Sequence, residues 1–329
     1  MDVHNHFYPQ AYLDALRTGR FRARLESGKG TDPVLHYAGD YNILVPGHRD
    51  LGARIRDMEE SNMQTHILSL TTPGVHIEER GAAIELARAV NEEFSNIGSS
   101  HPERFRAFAA LPLQDPDAAA EELRHSVQNL GLVGGTLFTN FSDKTPEDPS
   151  LHPVFETATD LGVPLFIHPT TPQNVGPLTD YRLVPLLGFL FDTTTAVSRI
   201  LFSGVLTRYP QLKLIVSHLG GTLPFVAERL DRGYRVYPEI SDLIPEKPST
   251  YLAKLYYDTV AFDVSALRHV RDTVGASQML LGSDYPHQIG DMDLAIASVN
   301  DMDLSEVERD EILGGNAATL FGLQDHGAD

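Results

Sequence analysis

The chain has 329 residues, long enough for two average domains or one large α/β barrel. Hydrophobic residues make up 42% and charged residues 22%, a globular profile that excludes disordered and fibrous classes. With 26 Lys and Arg against 45 Asp and Glu the net charge is −19, which repels phosphate backbones and anionic membrane surfaces, so nucleic acid and membranes are excluded as partners. A chain this long buries about three quarters of its unfolded surface, so a metal site here serves function and not folding. There is no cysteine, hence no disulfide framework and no thiolate nucleophile. The opening Met1-Asp2-Val3-His4 lacks the basic and apolar regions of a signal peptide. The longest nearly apolar run, Leu183 to Phe191, is shorter than the ~20 residues of a spanning helix. A soluble, cytoplasmic protein is expected.

In chain order, apolar β-rich runs fall at 2–7, 65–70, 105–111, 132–139, 163–168, 212–218, 255–261 and 279–284, with amphipathic helical stretches between them. Eight strands at a mean spacing of roughly 40 residues predict a (β/α)₈ barrel in a single domain over 1–329. Helices are expected over 80–98 and 117–130, each with one apolar stripe. Ser305 and Glu308 have capping-box spacing and open a last helix that Gly314 and Gly315 interrupt or end. The span 10–50 carries Arg17, Arg20, Arg22 and Arg24, Gly and Pro punctuation, and short β-like pieces at 34–37 and 41–45. At the catalytic face of a barrel it reads as an enlarged loop, a lid or small insertion.

The informative feature is where the histidines fall. His4 and His6 are two apart on the first strand and so share a face. His168 ends the fifth strand, His218 the sixth, and Asp284 the eighth. A lone strand histidine is more often a core or surface residue, and Asp284 alone suits a helix cap or a turn. Four imidazoles and a carboxylate gathered at C-terminal strand ends are what a borderline divalent cation such as Zn²⁺ requires, with a position left for water. His287 is a further candidate for the pocket. No role is assigned to His36, His48, His66, His76, His101, His125, His152, His269 or His326. Thr71, Thr72, Asn140, Phe141 and Tyr285 are candidate pocket liners, on loops 10–50, 71–78, 140–150 and 170–190.

This arrangement, with the strings MDVHNHFYP, HPERFRAFAALPLQDPDAA, LGVPLFIHP, YPQLKLIVSHLGGTLPF, LLGSDYPH and GNAATLFGL, resembles the amidohydrolase superfamily over essentially the whole chain. The similarity is to its amidohydrolase-2 branch, which includes decarboxylases of the aminocarboxymuconate-semialdehyde and γ-resorcylate type. The resemblance implies His4, His6, His168 and Asp284 as metal ligands, His218 as the catalytic histidine, and Arg229 as a contact to the substrate carboxylate, in some relatives in the neighbouring subunit's site. It therefore implies a homodimer or higher homo-oligomer. Two-metal members bridge their ions with a lysine on the fourth strand; Leu132 to Asn140 has none, which implies one divalent ion, Zn²⁺ with Mn²⁺ as the second choice. The implied activity is non-oxidative decarboxylation of a small aromatic or muconate-type acid. The alternative is a metal-dependent hydrolase or hydratase acting on a lactone or amide, since the same five residues serve both chemistries.

Overall fold

The computed structural model describes residues 1–26, 32–38 and 40–323. His326 and residues 27–31 and 39 of the expected insertion lie outside the described residues. The strands, in chain order, are β1 (Asp2–His6), β2 (Arg24–Glu26), β3 (Val34–Tyr37), β4 (Asp40–Ile43), β5 (His66–Ser69), β6 (Phe105–Ala107), β7 (Gly135–Phe138), β8 (Leu165–His168), β9 (Leu214–Val216), β10 (Tyr256–Asp258) and β11 (Met279–Leu280). Each of the eight predicted β runs contains one of them.

The architecture is mixed α/β. One parallel sheet has the order β1-β5-β6, and a second has the order β11-β10-β9-β8-β7. Two single-residue parallel bridges, Ala109 with Gly135 and Asn5 with Tyr285, link one sheet to the other at either side. Val133 N–H donates to Ala107 O at 3.0 Å at one seam, and Val3 N–H donates to Leu281 O at 2.9 Å at the other. Every residue of β1, β5, β7, β8 and β9 is buried, as parallel strands covered on both faces must be.

The helices follow their apolar stripes. Arg80–Ser100 turns Ala83, Leu86, Ala87, Val90, Phe94 and Ile97 inward, a spacing of three and four. Pro116–Gln128 begins on Asp115, whose side chain accepts from Ala118 N–H, with Pro116 in the first turn, where its missing N–H costs nothing. The Ser305–Glu308 capping box forms. Gly314 and Gly315 lie in a widened turn, Glu311–Gly315, that runs on into Asn316–Phe321, so they interrupt the helix; Gly322, at φ +65°, ends it.

Several strands are shorter than their apolar runs, for a reason that bears on the site. The run 212–218 is extended only over Leu214–Val216, and 279–284 only over Met279–Leu280. His218 and Asp284 therefore stand in turns beyond the strand ends, at φ +52° and +56°. Left-handed backbone at non-glycine residues persists only where surrounding contacts over-determine it, and it concentrates at functional sites.

Between β1 and the helix Leu51–Glu60, the chain forms a helix, Gln10–Arg17, and an antiparallel meander, β2-β3-β4. Three of its four predicted basic residues make exposed ion pairs, Arg17 with Asp14, Arg20 with Glu85 and Arg22 with Glu79, so this stretch is neutralised at the surface. The expectation about apolar length needs correction: Val184–Phe202 is helical through 19 residues at a mean hydropathy of 1.3, long and apolar enough to cross a membrane. Phe189, Thr193, Ala196, Val197, Ile200 and Leu201 are buried on one side of it, as in a core helix.

Beneath β1 lies Arg54, fully buried. Its guanidinium donates to Gly47 O at 3.1 Å, to Asn5 Oδ1 at 2.8 Å and to His6 O. The rings of Phe7 and Tyr285 face it at 5.3 and 4.8 Å. Burial lowers its pKa to about 10, which leaves it charged at neutral pH. It also donates to His66 Nδ1 at 2.9 Å, so replacing it leaves four buried acceptors unsatisfied, and Arg54→Met is expected to lower the unfolding free energy by about 3 kcal/mol or more, read from the denaturant midpoint.

Candidate metal centre and cavity

His4 and His6 project from the same face of β1, and their Nε2 atoms are 3.1 Å apart. Asp284 Oδ1 lies 3.1 Å from His6 Nε2 and 3.4 Å from His4 Nε2. The ligand atoms of His4, His6 and His168 fall within 4.8 Å of one another, as do those of His4, His218 and Asp284. The structure thus brings together all five residues that the strand-end reading selected. All are at least nine-tenths buried; His218, at 8% exposed, is the most open.

The hydrogen bonds on the far side of each ring decide which nitrogen is bare. Ser69 Oγ donates its single proton to Asn5 O at 2.9 Å, so toward His6 Nδ1, 2.9 Å away, it can only accept. His168 Nδ1 faces Pro169 O at 2.7 Å, and a carbonyl also only accepts. Both rings therefore carry their proton on Nδ1. Their charged forms are suppressed well below the usual histidine range, by burial above all, with neighbouring imidazoles adding to it and Asp284 opposing it. It follows that Nε2 of His6 and of His168 present bare lone pairs, and His168 Nε2, buried, has no hydrogen-bond partner among the described residues. Lone pairs facing a carboxylate oxygen at 3.1 Å require a shared cation. The donor set of imidazole nitrogens and one carboxylate fits a divalent transition-metal ion, and the locked outer nitrogens are the usual support of such ligands.

His4 is different. Burial opposes its charge, but Asp258 Oδ2 at 2.5 Å from Nδ1, together with Asp284, raises its pKa to about 10. Burial likewise favours protonation of Asp284, yet its contact with His4 holds it well below the carboxylate range. Burial lowers His218 to about 4. Among the described residues the His218 ring makes one hydrogen bond, between Nδ1 and Ser217 Oγ at 3.2 Å, which leaves Nε2 for other partners.

Asp258, the last residue of β10, was not singled out from the sequence. It accepts from the backbone N–H groups of His218 at 3.1 Å and Leu219 at 3.0 Å while also holding His4, so one carboxylate orients two of the imidazoles. His287 does reach the cluster: its ring centroid is 4.7 Å from that of His6, and its Nδ1 is 3.2 Å from His48 Nε2. Arg229 does not. On Leu223–Val236 the buried positions are Leu223, Pro224, Ala227 and Asp231, and Arg229 falls on the exposed side, away from its own chain's cavity.

The cluster opens into a cavity of about 240 Å³, just below the roughly 300–1,000 Å³ common for small-molecule sites, which suits a small substrate. His168, His218, Asp284 and His287 line one part; Tyr37 and Asn42 of the meander, Thr72, and Phe189 line others. Of the five candidate liners Thr72 alone borders it. Asn140 is turned to Asp192 and Thr171 O, and Tyr285 donates to Asp57 with its ring on Arg54. The loop 140–150 contributes nothing, and the segment after Asp284 takes its place with Gln288 and Ile289.

A family model described as amidohydrolase matches residues 1–323. The chain is 31% identical over 277 residues to 2-amino-3-carboxymuconate-6-semialdehyde decarboxylase of Dictyostelium discoideum, covering 83% of this chain and 77% of that one. It is 32% identical over 289 residues to γ-resorcylate decarboxylase of Rhodococcus jostii, covering 82% and 87%. The crystal structure of a dihydroxybenzoic acid decarboxylase from a Polaromonas species, with bound manganese and the inhibitor 2-nitroresorcinol, superposes with a TM-score of 0.79 at 27% identity, covering 98% and 96%.

Since Asp258 fixes His4 and the His218 turn, Asp258→Asn is expected to weaken divalent-metal affinity by about 10- to 100-fold. Competition with a chelator of known affinity measures this, and unchanged affinity would remove Asp258 from the centre.

Proposed function

Because the chain belongs to the amidohydrolase family, we propose that it is a metal-dependent carboxy-lyase, decarboxylating a small aromatic or muconate-type acid without oxidation. The observation that carries this reading is the convergence of bare, buried nitrogens and Asp284 on a small cavity, in a chain whose relatives are decarboxylases. The hydrolase alternative draws on the same five residues, and no feature of the cavity favours it.

His4, His6, His168 and Asp284 would hold one divalent ion. Zinc suits the imidazole-rich set, and manganese is the ion the Polaromonas neighbour carries. When bound, the ion supplies positive charge that binds and polarises substrate oxygens. Asp284 and His218, both at the cavity, handle the proton. The substrate carries an enol, phenol or amine next to the carboxylate, which makes the carboxylate-bearing carbon basic. The Asp284–His218 pair takes a proton from the substrate's own enol, phenol or amine group and delivers it to that carbon, which becomes tetrahedral. The bond to the carboxylate then breaks, its electron pair restores the conjugated ring or chain, and CO₂ leaves. The apolar wall given by Phe189 and Ile289 limits water around the reacting carbon.

The two parallel sheets and their seams support reading residues 1–329 as one (β/α)₈ barrel domain, with 10–50 as an insertion that covers the cavity. A homodimer or higher homo-oligomer is the assembly we infer. Phe225, 83% exposed, lies four residues before Arg229 on the same helix, so an apolar anchor and a cation are presented together to a neighbouring copy. A cytoplasmic location accords with this small-molecule chemistry.

Metal analysis of the purified protein is expected to give about one ion per chain, with activity lost on chelation and restored by Zn²⁺ or Mn²⁺. Supplied with ortho-hydroxy and ortho-amino aromatic acids and muconate-type acids, the enzyme should release CO₂. Asp284→Asn and His218→Ala should each lower kcat by about 10²- to 10⁴-fold with the fold intact by circular dichroism. Turnover of lactones or amides without CO₂ release would overturn the assignment.

A further inference from the structure

In a chain of net charge −19, the cavity is lined by two carboxylates, Asp40 and Asp284, and by a single Lys or Arg among the described residues, Arg182. Arg182 comes from the segment that follows β8. Its backbone is left-handed at φ +58°, as is that of Tyr181 at +57°. Two successive non-glycine residues in that region carry a cost that other contacts must offset. The result is a split: Tyr181 points to solvent, 87% exposed, while the Arg182 guanidinium lies 4.3 Å over the Tyr41 ring and its Nη1 donates to Asp40 Oδ1 at 2.7 Å.

Asp40 and Tyr41 thus hold the guanidinium in place from the opposing meander, engaging one donor atom. A guanidinium has five N–H donors in a rigid fork. Arg182 Nε and Nη2 make no hydrogen bond among the described residues, so the edge that matches a carboxylate in two parallel bonds is unengaged. This arrangement exceeds what a clasp needs, since Thr171 Oγ1 already ties the same segment to the meander through Ala38 O at 3.0 Å.

Position decides which anionic group it meets. The carboxylate that leaves must reach Asp284 and His218, at 3% and 8% exposure on the cavity floor. The Arg182 side chain, 40% exposed, stands at the mouth. We propose that Arg182 is a specificity-determining residue that anchors a second anionic group of the substrate, on the side remote from the carboxylate that leaves. The enzyme is thereby matched to dianionic acids over monoanionic ones. This rests on the decarboxylase reading for its place in catalysis, but binding alone can test it.

Calorimetric titration of the metal-loaded protein with benzoate and with isophthalate, which adds a second carboxylate to the same ring, separates the two questions. The wild type is expected to bind isophthalate at least about tenfold more tightly, the factor one charge-assisted contact supplies. Arg182→Gln should erase that preference and leave benzoate affinity within about twofold. Equal affinity of the wild type for both ligands, or an equal loss of both in the variant, would overturn the proposal and leave Arg182 a structural clasp. If the glutamine variant does not fold, Arg182→Lys keeps the charge without the fork; a preference reduced several-fold supports the proposal and an unchanged one refutes it. A failure of the decarboxylase reading looks different, because the binding preference then persists while no acid in the panel releases CO₂.

Discussion

The site depends on hydrogen bonds that face away from it. Ser69 and Pro169 each receive the Nδ1 proton of a buried imidazole, and so turn the lone pairs of His6 and His168 toward one point. A protein has no reason to bury bare nitrogens and a carboxylate oxygen against each other unless a cation joins them, since such acceptors gain nothing from one another. Asp258 extends the same logic to His4 and to the turn that carries His218. The parallel strands supply the frame in which these orienting groups come from different parts of the chain yet lie side by side.

The net charge takes on its meaning from this arrangement. An envelope at −19 discourages anionic ligands in general, so an acidic substrate must be drawn by local positive charge that outweighs the global field. The ligand cluster supplies one such point at the cavity floor once an ion is held, while Arg182, its charge paired with Asp40, offers the free edge of its guanidinium at the mouth. Between them the walls are largely aromatic and aliphatic, with Tyr37 and Phe189 bordering a space of about 240 Å³. Anion at each end and ring in the middle is the ligand shape this distribution favours, because each anionic group meets a donor and the apolar ring meets apolar walls.

Much of this was legible in the amino-acid order, and the limits have physical causes. Strand positions could be read because fully buried parallel strands are apolar throughout, and the selected histidines and Asp284 stood out as polar residues at the ends of such runs. Asp258 falls inside its apolar run, 255–261, and only the structure ends the strand there. Its role shows only when Leu219 and His218, some forty residues earlier, fold against it. Thr71, Asn140, Phe141 and Tyr285 read equally as liners or as turn and packing residues because loop side chains obey no period; their direction is set by partners such as Asp192 and Asp57 that are distant in sequence. Arg182 was invisible for the same reason, since nothing in the order of residues announces the left-handed pair that turns it inward.

Arg54 shows how far the support of the centre extends. It lies behind β1 and donates to the carbonyl of His6, so the strand that presents two imidazoles to the site on one side is tied to a buried cation on the other. A charge so placed persists only with full hydrogen-bonding, and Gly47, Asn5, Phe7 and Tyr285 provide bonds and ring faces in place of water. Asp2 occupies a comparable position, bonded to Ser283 Oγ at 2.6 Å and to the His4 N–H at 3.0 Å, though burial still raises its pKa to about 6. Because Ser283 directly precedes Asp284, this bond couples the start of the first strand to the turn bearing the site's carboxylate. The left-handed backbone of that turn is thereby held from the Asp2 side and by the His4 carbonyl, which accepts from Asp284 N–H at 2.8 Å. The geometry of the centre is thus a property of the seam between β1 and the segment after β11, and the strain at Asp284 is what places its carboxylate against His4 and His6.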